Sequence, residues 1–190
     1  TYEIVARPDV VDSNGHALFS SARDTEQTSY TRLDGAQLGM ASGSGFRLTH
    51  RYYYGTNSNP TFTSLITTHS VSNLKSLAGQ KRYSVQSTFT TKGTAKGMVK
   101  VNDISSSSSN RTTSTGKSTD QNMYWATDTT WLGLGAALSA DNTVSSVPQY
   151  FIGMMYGFRY YERILTEDEL QKNAAIDYGK YNIMVPLRGW

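Results

Sequence analysis

The stretch from Gln149 to Tyr181 constrains the fold more than any other part of the chain. Its first half is rich in aromatic and apolar residues with few breakers, which predicts a strand. Ile152 and Met154 share one phase of the alternation, as do Phe158 and Tyr160, while Gly153 and Gly157 leave room for a bulge or a close-lying backbone. Thr166 then opens a helix. Its hydroxyl can accept from the Glu169 N–H, and Glu169 can reach back to the Thr166 N–H, which makes a capping box. Leu165 and Leu170 are spaced for a hydrophobic staple, and Glu167, Asp168 and Glu169 lie at the positive end of the helix dipole. Leu170, Ala174 and Tyr178 form one apolar stripe, and Gly179 is placed to end the helix in a left-handed conformation.

The remaining chain reads as short strands punctuated by turn formers. Strands are expected over Thr1–Arg7, His16–Ala22, Thr28–Leu33, Ala36–Met40, Phe46–Tyr54, Thr61–Thr68, Arg82–Thr90, Gly97–Val101, Asn122–Thr127 and Thr130–Leu138. Ser13-Asn14-Gly15, Asp34-Gly35, the run Gly55–Pro60, a turn flanked by Gly93 and Gly97, and Asn102-Asp103 read as turns, loops or hairpin tips. Ser105–Thr119 is a Ser/Thr tract with almost no apolar side chain to offset its ordering entropy, so a mobile low-complexity stretch is expected there. Ile183–Leu187 is a candidate last strand. The chain of 190 residues, with no internal repeat and no dividing linker, is read as one domain, residues 1–190, taken from a longer protein. It opens on a strand-like run without a signal-peptide pattern, so a signal or further domains are expected upstream.

Charge and cysteine content narrow the function classes. The net charge is only +3 and basic residues are scattered, with Lys81-Arg82 the one adjacent pair, so no nucleic-acid-binding stripe is present. There is no cysteine, which excludes a disulfide framework, a thiol nucleophile and a cysteine zinc site. No apolar run of membrane-spanning length exists. His16, His50 and His69 are isolated in sequence and form no metal or triad spacing; surface or strand-end positions are expected for them.

The C-terminal unit resembles the signature of the concanavalin A-like, laminin-G-type jelly-roll domains. That family carries Phe-x-Gly-x-apolar-Tyr-x-apolar-Arg-apolar-Tyr, then Arg-x-Leu-Thr and a short acidic helix. Here the matching residues are Phe151, Gly153, Met155, Tyr156, Phe158, Arg159, Tyr160 and Tyr161, then Arg163, Leu165 and Thr166. The other segments agree in rhythm only. The resemblance implies an all-β, antiparallel two-sheet β-sandwich, a concanavalin A-like jelly roll, with one short C-terminal α-helix. It also implies display outside a cell, on a cell surface or on a virion, and the absence of cysteine tilts the source towards a bacterial surface or phage protein.

Function is then decided by side chains rather than by fold. Jelly-roll glycosidases carry paired carboxylates in a Glu-x-Asp-x-x-Glu pattern, which this chain lacks; Glu167, Asp168 and Glu169 serve the helix start instead. The expectation is a non-catalytic binding or adhesion module for glycan or a cell-surface polymer. The alternative is a structural accessory domain, a decoration, fibre or tail module, contacting other subunits of a phage or surface assembly; a jelly-roll glycosidase ranks third. The ligand-binding candidates are Tyr53, as a stacking ring, with Asn57, Asn59, Asp141 and Asn142 as hydrogen-bonding partners from two loops. Within the Tyr52-Tyr53-Tyr54 run strand alternation puts at least one ring in the core, and Trp131 is expected there too. No cofactor is expected. Calcium is the one ion considered, because Asn57, Asn59, Asp141 and Asn142 offer oxygen ligands, and turn formation accounts for the same residues.

Overall fold

The structure, a computed structural model, describes residues 1–12, 16–23, 35–41, 45–56, 59–90, 94–104, 108–118, 130–136 and 150–182. Its strands are β1 (Tyr2–Pro8), β2 (His16–Arg23), β3 (Gly35–Ala41), β4 (Gly45–Thr56), β5 (Asn59–Ser70), β6 (Tyr83–Thr90), β7 (Thr94–Asp103), β8 (Ser108–Ser118), β9 (Thr130–Leu134) and β10 (Gly153–Tyr160). One helix, α1 (Glu167–Tyr181), follows them. The protein is thus mostly β, with antiparallel sheets and a C-terminal helix. One sheet has the order β10-β1-β6-β7-β8, the other β5-β4-β3-β2-β9.

Alternation along the strands builds the core. Ile4 and Ala6 of β1, Tyr83 and Val85 of β6 and Val99 and Val101 of β7 come from one sheet. Leu18 and Phe19 of β2 with Phe46 and Leu48 of β4 come from the other, and all pack in one cluster. Tyr2 stacks on Phe19 at 4.3 Å between ring centres, which ties β1 to β2 across the two sheets. Each such large apolar side chain contributes about 1.5–3 kcal/mol when fully buried. The opposite face of β1, β6 and β7 carries Glu3, Ser84, Gln86, Lys100 and Asn102, all buried, because α1 lies over it.

The capping box is formed: Thr166 accepts from the Glu169 N–H at 3.3 Å, and Glu169 accepts from the Thr166 N–H at 2.8 Å. The staple residues Leu165 and Leu170 are buried in one cluster with Met98 of β7. The strand ahead of the helix also follows the sequence. The register between β1 and β10 shifts beside Gly157, since Val5 faces Gly157 and Ala6 faces Met155, leaving Tyr156 as the inserted residue. A Cβ on Gly153 would collide with the Arg7 carbonyl, so this backbone approach needs glycine.

Several expectations are corrected. The helix does not stop at Gly179; it runs to Tyr181 and caps at Asn182 in a right-handed conformation, with the Asn182 N–H bonded to the Tyr178 carbonyl. The Leu170–Ala174–Tyr178 stripe does not form the buried face: the buried helix residues are Leu170 and Asp177, and Tyr178 is 37% exposed. The tract expected to be mobile holds strand β8, which pairs with β7 from Thr94↔Ser118 to Asp103↔Ser108. The ladder and the Thr112 hydroxyl's bond to His69 Nδ1, at 3.0 Å, supply what the tract's own side chains lack. Asn102 and Asp103 are not a hairpin tip but paired ends of β7. Gly97 lies inside β7 rather than beside a turn, and a Cβ there would come within 2.7 Å of the Thr67 hydroxyl and 3.3 Å of Leu65. Thr28–Leu33, Asn122–Thr127, most of the Ile183–Leu187 neighbourhood and Ile183–Leu187 itself lie outside the described residues.

Candidate functional site

The densest polar chemistry sits between α1 and the β10-β1-β6-β7-β8 sheet. Arg159 of β10 is its centre. Its Nε donates to Glu3 Oε2 at 2.6 Å, and Nη1 and Nη2 donate to the two Asp177 oxygens at 2.8 and 2.6 Å. Both carboxylate side chains are 0% exposed, so neither can be satisfied by solvent. Glu3 also accepts from Gln86 Nε2 at 2.6 Å and Asn173 Nδ2 at 2.9 Å, and Asp177 accepts from the Ser84 hydroxyl at 2.6 Å. Burial works against the charge on Arg159, but the bonds to Asp177 and Glu3 outweigh it and hold the guanidinium above its ordinary pKa. The cluster fastens the helix to the sheet.

Beside it, α1 and the end of β7 leave a cleft of about 280 Å³. Ile104, Ala174, Ala175 and Tyr178 make its apolar walls, with Asn102 and Asp103 contributed from β7. Asn102 is 5% exposed. Its amide nitrogen donates to the Ser84 carbonyl at 3.1 Å and to Gln86 Oε1 at 3.2 Å, which fixes the amide orientation. Its carbonyl oxygen is buried and accepts no hydrogen bond. The charges around the cleft are already balanced. Lys100 donates to Glu167 at 2.6 Å, and Lys81 donates to Asp103 at 2.6 Å. The Lys100 bond, set against partial desolvation, holds the Glu167 carboxyl below its ordinary pKa.

The residues expected to bind ligand are only partly in view. Tyr53 lies in β4 opposite Phe62, and Asn59 is the first residue of β5, opposite Thr56. Asn59 is therefore a strand residue and not part of a long loop: the expected Gly55–Pro60 loop is replaced by a hairpin whose strands reach Thr56 and resume at Asn59. Pro60 is accommodated because β5 ends its sheet, where a missing N–H breaks no ladder bond. Asn57, Asp141 and Asn142 lie outside the described residues. Among the described residues no group of three His, Asp or Glu side chains gathers to hold a metal ion. His16 stands at a strand end, as expected, being the first residue of β2, but it is buried there, held by Asp12 at 3.0 Å and the Tyr150 carbonyl at 2.6 Å. His50 stacks on Phe89, and burial pushes its pKa down to about 3.

Sequence reasoning missed both the Arg159 cluster and the cleft. Glu3 and Asp177 are separated in sequence by nearly the whole chain, and an Asp in a helix reads as solvated. The one available signal was Arg159 itself, a lone charge in an otherwise apolar strand. Comparison with family models, with curated proteins and with solved structures finds no match to this chain.

Proposed function

We propose that this chain is a non-catalytic binding or adhesion module of the concanavalin A-like, laminin-G-type jelly-roll class, displayed outside a cell and recognising glycan or another cell-surface polymer. The observation that carries this reading is the fate of the two carboxylates that meet at Arg159. Glycoside hydrolysis needs two carboxyls open to a sugar, one as acid and one as nucleophile or base. Glu3 and Asp177 instead share one guanidinium beneath a helix and are fully buried. Glu167 and Glu169 are likewise held, by Lys100 and Arg163. The β4–β5 hairpin, whose strands carry Tyr53 and Asn59, is where this reading places an aromatic and an amide for ligand contact. A glycan array probed with the whole chain tests the reading. Saturable binding to a defined glycan class, weakened about tenfold or more in Tyr53→Ala, is expected; no binding to any glycan, with turnover of a polysaccharide, overturns it.

A second reading, an accessory domain of a phage or surface assembly, is favoured by a different observation. Leu132 and Leu134 on β9, with Tyr150, Ile152, Met154 and Tyr160 on or ahead of β10, are each between 48% and 53% exposed. The Phe151 N–H bonds the Gly135 carbonyl at 2.8 Å, which brings these two sheet edges together. Co-sedimentation with virion or surface-layer fractions separates this reading from the first.

A further inference from the structure

On one side of the sandwich the two sheets end in β10 and β9, and the hydrogen bond from the Phe151 N–H to the Gly135 carbonyl joins these edges. We propose that this side takes a second copy of the chain, the two β10 edges meeting antiparallel about a twofold axis. The proposal goes beyond both readings above: it names a partner, and it stands whether the module binds glycan or serves in a larger assembly.

Strand alternation identifies the face. Leu134 of β9 stands opposite the core residue Phe19, and Leu132 shares its phase, so both leucines point between the sheets. Tyr160 of β10, opposite Tyr2, shares the inward phase of Phe158. Yet Leu132, Leu134 and Tyr160 are half-exposed, so the sandwich is open along this side. Tyr150, Ile152 and Met154 beside it are equally exposed. The edge is also weakly protected. Soluble proteins keep edge strands apart with lysine, proline, charge, shortness or a bulge. Of the four edge strands described, β9 is five residues long, β5 carries Pro60 and β8 carries the exposed Arg111. In contrast, β10 holds neither lysine nor proline, and its one charge, Arg159, is turned into the Glu3–Asp177 cluster. Its bulge falls at Tyr156, past Met154. Area and charge then select the partner. These six half-exposed side chains offer roughly 600 Å², taking about 200 Å² for a large side chain. Two such faces bury roughly 1,200 Å², the lower end of the range for a specific interface. A twofold contact lays each face on itself, so a net charge there would repel its own copy. The charges described beside Met154 cancel, since Arg7, its neighbour on β1, is held by Asp9 at 2.8 Å. An apolar face with balanced charge is complementary to itself and offers an ionic partner nothing to pair with.

The test is sedimentation equilibrium of the whole chain between about 1 and 100 μM, the range in which a micromolar dimer dissociates. The expected result is a reversible monomer–dimer equilibrium. Met154→Lys and Leu132→Lys, both at half-exposed positions, should each weaken the dimer about tenfold or more by setting like charges against each other across the twofold. The circular dichroism and melting temperature of the dilute variants should match those of the parent. Hydrogen exchange needs no variant: amides of Gly153–Tyr160 and Thr130–Leu134 should exchange more slowly in concentrated than in dilute parent, while those of Ser108–Ser118 keep one rate. A parent that stays monomeric throughout overturns the proposal. So does a dimer that survives both lysines, or one that protects β8 or β5 instead of β10. A monomer that co-sediments with virion or surface-layer fractions overturns it too, and leaves the accessory-domain reading standing. The dimer is measured without glycan, so a negative glycan array does not bear on it.

Discussion

Replacing Arg159 by Met tests whether the buried charge cluster, rather than apolar contact, fastens the helix. The substitution keeps most of the side chain's length and removes the guanidinium bonded to both Glu3 and Asp177. Removing one partner of a buried ion pair costs about 3–5 kcal/mol, because the surviving charge stays out of water. Two carboxylates are stranded here, which argues for the upper end. Against that, Glu3 keeps Gln86 and Asn173 as donors, and Asp177 keeps Ser84, so the penalties are not simply doubled. We expect a loss of about 4 kcal/mol at neutral pH, read by urea denaturation followed by circular dichroism. The pH dependence gives the decisive sign. A stranded buried carboxyl has a folded pKa above its unfolded value, so the folded state binds the extra proton and gains stability as pH falls. The gap between parent and variant should therefore narrow as the pH is lowered from neutrality. Adding Asp177→Asn to the variant should recover part of the loss, since it removes one stranded charge. A loss below about 1 kcal/mol, or a gap that does not narrow with acid, refutes the reasoning.

Thr166→Ala should cost about 1 kcal/mol through the lost cap, measured by the same denaturation; a loss of only a few tenths means the box contributes nothing. Thr67→Val should stabilise the fold by about 1–2 kcal/mol, because the Thr67 hydroxyl is buried between the sheets without a hydrogen-bond partner; a loss on this substitution shows that the hydroxyl is served after all. His50 has a folded pKa of about 3, below its unfolded value, so the unfolded chain takes up the proton first and stability falls as pH drops from about 6.5 towards 3. The slope from this residue reaches up to about 1.4 kcal/mol per pH unit, and His50→Gln should flatten the stability–pH curve in that window. A curve of unchanged shape sinks the assignment.

What was legible in the sequence was local. A capping box is four residues long, and its donors and acceptors are fixed by helix geometry alone, so Thr166 and Glu169 could be read without knowing what the helix packs on. Strand alternation in Tyr83–Thr90 was legible for one face: the apolar phase put Tyr83 and Val85 in the core, while the burial of Ser84 and Gln86 under α1 left no mark in the pattern. Ser108–Ser118 hid its strand because the pairing partner β7, and not its own side chains, supplies the order. The docking face of the helix was hidden by a deeper cause. Hydrophobic periodicity finds a buried face only when that face is apolar. Here the inward positions after Leu170 are Asn173 and Asp177, made buriable by Arg159 and by Glu3 at the far end of the chain. A period-based reading must then rotate the helix wrongly and turn Ala174 and Tyr178 inward.

That same rotation is what creates the cleft. Because Asp177 and Asn173 are drawn down to Arg159 and Glu3, the small residues Ala174 and Ala175 fall beside β7 instead of the larger core side chains a tight joint would need. The charge cluster and the cleft are therefore one arrangement seen from two sides. If Arg159→Met lets the helix turn, the cleft should close or widen with it. The amide resonances of Lys100–Ile104 should then move away from those of the parent at a pH where the variant remains folded. Parent-like resonances there would show that the cleft is set by β7 alone, and that the helix merely passes over it.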